Sequence, residues 1–274
     1  MFGPQVPLAR LSGIKIMLKS LPRATILLTL ISLLLPANHL FAESQPSNQD
    51  FLIASMGVGT AVGVELFAKN HLLPEEPRFS KPNSLDAKFR NDMYWGNEKQ
   101  AIAKQWSDNL VYGVSLSSLV WGPLLAEDHR TAALINMEVF AANSIVTNII
   151  KMSIARERPY HYYKTMSSEG PSDFASFVSG HSSVAFSQAV TNSILLSESY
   201  PEYGPEIWTT MLGFAGATAY LRVAGDMHYL SDIVVGAGLG SLIAWTITRY
   251  EQNRFKENNE NPINIAVMFK IPLG

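Results

Sequence analysis

Residues 131–159 read TAALINMEVFAANSIVTNIIKMSIARERP. Over Thr131–Met152 the stretch is rich in Ala, Leu and Ile and holds no Gly or Pro, so it predicts a helix of more than five turns. Asn136, Glu138, Asn143 and Asn148 interrupt the apolar pattern and make the helix amphipathic rather than uniformly apolar. Two cations, Lys151 and Arg158, close the stretch, and Pro159 disfavours helix at the residue before it.

The same reading extends outward. Asn97–Glu127 predicts helix with a break near Asp108. Ser179–Leu196, Pro205–Val223 and Tyr229–Tyr250 follow with comparable length and composition. Gly170-Pro171, Tyr200-Pro201 and Gly204-Pro205 punctuate the loops between them. Upstream, Phe51–Ala68 is apolar with Gly57, Gly59 and Gly63 among small residues, which suits close helix packing. The stretch 71–96 reads as an irregular loop with one short helix from Ser84, and ENNENP (257–262) ends the last helix. The expected fold class is all-α, a helical bundle of about six main helices with its active site between helices. The expected organisation is 1–42 signal peptide, 43–107 linker, helix and irregular loop, 108–250 bundle domain, and 251–274 tail.

Composition excludes several chemistries. The chain of 274 residues has no Cys, so it has no disulfide framework, thiolate zinc site or cysteine nucleophile. A net charge of -2 gives no basic footprint for nucleic acid. Mean hydropathy of +0.08 is low for a chain made mostly of membrane spans and favours a soluble or peripheral body.

The N-terminus reads as a targeting segment. Arg10, Lys15, Lys19 and Arg23 precede ATILLTLISLLL (24–35), and Ala42 follows as a small exit residue before Glu43. Cleavage there leaves 17 Lys+Arg against 23 Asp+Glu, a mature net charge of -6. The expected location is exported, in the periplasm or on a membrane facing it. Peripheral or integral membrane contact is expected through Phe51–Ala68 and the aromatic pair Tyr94-Trp95.

Three segments carry the chemistry. In Lys151-x6-Arg158-Pro159 the cations are nearly two helical turns apart, so they can share a side and grip a phosphate. A solvated helix C-terminus carries cations for its dipole as well. In Ser179-Gly180-His181 a loop becomes a helix. Ser179 is the expected N-cap, and Gly180 lets backbone N–H groups approach an anion next to His181. A capped helix with a surface His has the same sequence. In Arg222-x5-His228-x3-Asp232 the carboxylate is four residues from the imidazole and can fix its tautomer, which frees the other ring nitrogen as nucleophile or base. A structural His–Asp pair is the plainer alternative.

Order and spacing together resemble the type 2 phosphatidic acid phosphatase and vanadium haloperoxidase superfamily. That superfamily carries Lys-x6-Arg-Pro, then Pro-Ser-Gly-His, then Ser-Arg-x5-His-x3-Asp. The resemblance covers roughly residues 108–250. Three positions depart from the pattern: Val178 stands for the usual Pro, Leu221 for the usual Ser, and Asp226 for the Gly more common at that step. An Asp226 facing the pocket would oppose an anionic substrate; one pointing away would not.

The resemblance implies a metal-independent phosphomonoesterase acting on a lipid phosphate or a soluble organic phosphate. Lys151, Arg158 and Arg222, with Ser179 and the Gly180 backbone, would hold the phosphoryl oxygens. His228 would attack phosphorus and form a phosphohistidine, Asp232 would orient His228, and His181 would protonate the leaving group. No metal and no cofactor are implied, with vanadate acting as an inhibitor. The alternatives are a vanadate-dependent haloperoxidase, in which vanadate is the prosthetic group, and a non-catalytic helical scaffold. His39, His71, His129 and His161 show no ligand spacing and receive no role.

Overall fold

A computed structural model describes residues 45–260. The expected signal segment and the last fourteen residues lie outside the described residues. Eight main helices and no strands are present among the described residues.

Helix α1 (Asn48–Gly63) starts on a capping box. Ser47 accepts from the Asp50 amide, and the Asp50 carboxylate accepts from the Ser47 amide at 2.7 Å. It runs into a π-helical turn, Val64–Ala68. Asn83 caps α2 (Ser84–Met93), the short helix expected from Ser84. The segment expected to break near Asp108 continues as α3 (Gln100–Leu110), then a second π-helical turn (Val111–Leu116), then α4 (Ser118–Leu125). The break is therefore a change of winding, a few residues beyond the expected point.

Helix α5 (His129–Ile154) contains the opening sequence stretch and is capped by Asp128, which accepts from the Thr131 amide. It ends at Ala155, whose φ of 48° is left-handed. The stop comes four residues before Arg158, so helical periodicity is not what brings Lys151 and Arg158 together. Ser179 caps α6 (Gly180–Ser199) as expected, accepting from the Ser182 amide. Helices α7 (Gly204–Ala224) and α8 (Leu230–Glu260) complete the bundle, and α8 runs into the Asn-rich stretch.

The core lies where α5, α6 and α8 meet. Ile135 and Val139 of α5 pack with Val190, Ile194 and Leu195 of α6 and Ala244 of α8. Truncating a fully buried member such as Ile135 to Ala costs ~2–5 kcal/mol. Two glycines of α8 set how closely it approaches the start of α6. A Cβ at Gly236 would stand 2.7 Å from the Ser179 carbonyl oxygen, and one at Gly240 would stand 2.1 Å from that of Ser183. This approach presses the N-terminus of α8 against that of α6.

A polar seam runs through the same interior. Asn192 Nδ2 donates to Asn136 Oδ1 and to Ser118 Oγ, both at 3.1 Å, and Ser183 Oγ donates to Asn143 Oδ1 at 2.6 Å. These bonds tie α4, α5 and α6 together in one register. Outward faces are apolar by contrast. Leu52 and Met56 of the first helical stretch are exposed, as are Val234, Leu242 and Trp245 of α8. Among the described residues three helical stretches are long and apolar enough to cross a membrane: Asn48–Phe67, His129–Ile154 and Leu230–Phe255. Mean hydropathy conceals them, because the seam and the polar loops at the site-bearing end lower the average.

Candidate active site

Four element ends converge: the C-terminus of α5, the N-terminus of α6, the C-terminus of α7 and the turn into α8. They enclose a cavity of about 310 Å³. Six of the eight expected site residues line it: Lys151, Arg158, Gly180, His181, Arg222 and His228. Ser179 and Asp232 stand outside the lining. A larger hollow of about 650 Å³ around His129 and Glu198, at the other end of α5, holds none of the eight.

Lys151 is buried in the last turn of α5, and its Nζ donates to the Ala175 carbonyl at 2.9 Å. After the left-handed turn at Ala155 the chain runs extended into Arg158, whose amide donates to the Asp173 carbonyl at 2.8 Å. The Arg158 side chain is aimed by two carbonyls. Nε donates to Ser172 at 2.9 Å and Nη1 to Met227 at 3.2 Å. Gly180 opens α6 directly beside Lys151: a Cβ there would come within 3.5 Å of Lys151 Cε. Ser179 is fully buried and its hydroxyl serves the cap, accepting also from Ser182 Oγ at 3.0 Å.

Arg222 arrives from the end of α7. Its Nη1 donates to Ser107 Oγ and Asp108 Oδ1, each at 2.9 Å. Its Nε is buried without a partner among the described residues. An orphaned buried guanidinium N–H at the wall of a cationic cavity is a ready donor for an anion.

His228 precedes α8 rather than lying on it. Its Nδ1 lies 2.8 Å from the Ser176 carbonyl oxygen. A carbonyl only accepts, so Nδ1 carries the proton and Nε2 keeps its lone pair. Nε2 stands 3.4 Å from Arg158 Nη1, in the cationic wall. The expected helical His–Asp hydrogen bond is not formed: Asp232 Oδ2 lies 3.7 Å from Nδ1. Asp232 instead collects Ser176 Oγ at 2.5 Å, the Tyr229 amide at 2.9 Å and Arg156 Nη1 at 2.6 Å. Its first-turn position in α8 makes it a brace for the loop that supplies the Ser176 carbonyl.

Burial and the charges of Arg158, Lys151 and Arg222 push the His228 imidazole well below its usual range. His181 is pushed down to about 3 by burial and by Arg222, against the pull of Asp108. The Arg222 guanidinium falls to about 10, through burial and the neighbouring Arg158. Burial alone would raise the Asp108 carboxyl, but the His181 hydrogen bond and the Arg222 charge bring it to about 2. The cavity thus sets fixed cations beside imidazoles whose proton affinity is lowered, a field that favours a bound oxyanion.

The departures fall outside the cavity. Asp226, at a left-handed φ of 59°, is buried and faces away from the lining. It accepts from Arg90 Nε at 2.7 Å and Nη2 at 2.8 Å, and from Thr165 Oγ1 at 2.6 Å. The Arg90 guanidinium lies 4.2 Å from the ring centres of both Tyr94 and Tyr163. Leu221 packs with Ala103 and Ala224 against α3. Val178 is fully buried, with a cis Phe177–Val178 peptide.

Sequence reasoning missed Asp108, Arg156 and Ser176. Arg156 Nη2 also donates to Asp86 at 2.7 Å, so it bridges Asp86 and Asp232 across the base of the site. Its place two residues before Arg158 was the available signal. Ser176 acts largely through its carbonyl, which no side-chain pattern encodes. The missed apolar wall is formed by Ala61, Val62, Leu66, Val111, Leu116 and Phe140, largely from the two π-helical turns and their neighbours.

The spacing of the three segments and their meeting at one cavity agree with the match of residues 132–256 to the model described as PAP2 superfamily. Members of that superfamily are generally phosphatases. This match supports the type 2 phosphatidic acid phosphatase superfamily as the family of residues 132–256.

Proposed function

We propose that this chain is a metal-independent phosphomonoesterase working through a phosphohistidine at His228, on substrates that carry an apolar chain beside the phosphate. The observation that carries this reading is a single cavity lined by three cations and two imidazoles together with many aliphatic and aromatic side chains, with Glu65, Ser144, Thr147 and Asn148 also in its lining.

Lys151, Arg158 and Arg222 hold the phosphoryl oxygens and offset the charge that spreads over them in the transition state. The Gly180 amide at the start of α6 adds a helix N-terminus to the cradle. His228 Nε2 forms the N–P bond as the P–O bond to the leaving group breaks. His181 gives a proton to the departing oxygen, then takes one from the water that attacks phosphorus and releases phosphate. Asp232 acts through the loop: it holds Ser176 and the Tyr229 amide, and the Ser176 carbonyl holds His228. Vanadate occupies the same cradle as an inhibitor.

The apolar wall and the three long apolar helices support a lipid phosphate over a soluble sugar or nucleotide phosphate. The basic and apolar start of the sequence supports export, with the site serving the periplasm or a membrane facing it.

The test is phosphate release by the full chain in detergent with EDTA present. The expected result is turnover that survives EDTA, stops with vanadate, disappears in His228→Ala, and rises with chain length of the ester. Loss of turnover in EDTA, or equal turnover by His228→Ala, contradicts the scheme. Halide oxidation switched on by vanadate and peroxide overturns it in favour of a haloperoxidase.

A further inference from the structure

Asp108 belongs to none of the three motif segments and lies outside the residues matched by the family model. It sits in the last turn of α3, just before the π-helical turn that forms part of the cavity wall. Its Oδ1 lies 2.8 Å from His181 Nε2 and 2.9 Å from Arg222 Nη1, and its Oδ2 lies 3.5 Å from Lys104 Nζ. Within its own helix the carboxylate has one ionic contact, the longer one to Lys104 four residues back. What the carboxylate does is join the candidate proton donor to one of the phosphate-holding cations.

We propose that Asp108 is the positioning carboxylate of His181, a second His–carboxylate pair on the leaving-group side of the cavity, set opposite the His228–Ser176–Asp232 arrangement. The proposal rests on the phosphatase reading above.

The geometry assigns the protons. A carboxylate only accepts, so His181 Nε2 carries a proton toward Asp108. Nδ1 is then the ring nitrogen left to serve the cavity that His181 lines. With the anionic ester in the cradle offsetting the cations, His181 takes up a proton from solvent, and in the first half-reaction its imidazolium holds protons on both nitrogens. The Nδ1 proton passes to the leaving oxygen as the P–O bond breaks and the His228 N–P bond forms. In the second, Nδ1 takes a proton from water as the water oxygen bonds phosphorus and the N–P bond breaks. Asp108 keeps the ring in one orientation through both steps and favours the imidazolium. The groups facing that ring are Asp108 from α3, Tyr112 from the π-helical turn, Arg158, Arg222 from α7 and His228. Asp108 is the carboxylate among them that counters the cations.

A carboxylate that serves only to hold Arg222 would affect all phosphate esters alike. One that serves the proton donor affects an ester in proportion to how much its leaving oxygen needs the proton. The test therefore compares an alkyl phosphate with p-nitrophenyl phosphate, whose leaving group departs unaided. The full chain is assayed in detergent as wild type, Asp108→Asn, His181→Asn and the double variant, with thermal melting as a folding control. The expected result is a kcat loss of about 30-fold or more for Asp108→Asn on the alkyl ester and of about threefold or less on the nitrophenyl ester. The double variant is expected to be no slower than His181→Asn alone.

Equal losses on both esters, with weaker inhibition by inorganic phosphate, would overturn the proposal and leave Asp108 as a support for Arg222. If Asp108→Asn does not fold, Asp108→Glu is compared on the two esters by the same criterion. A wild type inert toward both esters would overturn the phosphatase reading itself. The nitrogen-15 spectrum of the His181 ring then decides the pair independently: an Nε2–H signal that moves in the Asp108 variant upholds it, and an unmoved signal overturns it.

Discussion

His228 donates from Nδ1 to the Ser176 carbonyl at 2.8 Å, while Asp232, four residues along the chain, stands 3.7 Å from the same nitrogen. The tautomer that leaves Nε2 free is thus set by a backbone group, and the carboxylate braces the loop that presents it. Asp232→Asn is expected to lower kcat by ~10²–10⁴-fold, because a primary amide cannot accept from Ser176, Tyr229 and Arg156 as two carboxylate oxygens do. The same variant should also melt earlier, since Arg156 loses a buried counter-charge. Steady-state kinetics with a thermal melt checks both. A slower enzyme of unchanged stability would restore a purely catalytic Asp232.

Arg156 joins Asp86 and Asp232 at 2.7 and 2.6 Å, with its guanidinium 4.3 Å from the centre of the Tyr229 ring. Both carboxylates are fully buried. Arg156→Met removes their shared cation and is expected to cost ~3–5 kcal/mol in unfolding free energy. Arg156→Lys should recover little, because one ammonium cannot make the forked contacts or stack in the same way. Chemical denaturation of the three proteins measures this; a loss below ~1 kcal/mol for Met would show that the bridge is idle.

Arg90 and Asp226 form a second buried pair, away from the cavity. Arg90→Met strands a buried carboxylate and should destabilise by ~3 kcal/mol or more. The double variant Arg90→Met/Asp226→Gly should recover part of that loss, because no charge is left unpaired and Gly accepts the left-handed φ of 59°. Where these variants are folded, kcat/KM should stay within about threefold of wild type. A large change in kcat/KM for the double variant would mean that the acid acts on the substrate after all.

The two imidazoles should make the protein acid-sensitive. His181 and His228 are both held below the ordinary 6.5, His181 at about 3. Below pH 6.5 the unfolded chain therefore binds protons that the folded chain refuses, so stability falls as pH drops from there. Each imidazole contributes a slope of at most about 1.4 kcal/mol per pH unit. Asp108 works in another window. Its carboxyl is lowered from 3.8 to about 2, so its contribution is present above 3.8 and is lost only as pH falls toward 2. Unfolding free energies at pH 7.5, 6 and 5 should decline in wild type and decline less in His181→Asn/His228→Asn. Parallel declines would remove the two imidazoles as the cause.

Much of this was legible in the sequence. The helices of residues 131–250 follow from unbroken Ala, Leu and Ile with Gly and Pro at their ends, and Ser179 was readable as a cap from its chemistry. The convergence of Lys151, Arg158, Arg222 and the two imidazoles followed from motif order. What the sequence hid has physical causes. Ala155 turns left-handed without being Gly, so the helix ends before Arg158 with no signal. The Ser176 carbonyl is a backbone group and has no residue signature. Asp226 reads as a misplaced acid until Arg90, 136 residues away, is brought against it. The apolar faces of the three long helices were diluted in the mean by the Asn, Gln and Ser residues that line the inside of α5 and α6.

The most direct measurement is to trap the covalent intermediate. Full-length protein in detergent with EDTA is mixed with a phosphate-labelled ester, quenched with alkali, and the phosphorylated peptide is located by mass spectrometry. The account predicts an acid-labile, alkali-stable phosphoryl group on Nε2 of His228 that accumulates further when His181 is replaced and an activated ester is used. Turnover without a phosphoenzyme, or a label carried on any other side chain, would contradict it.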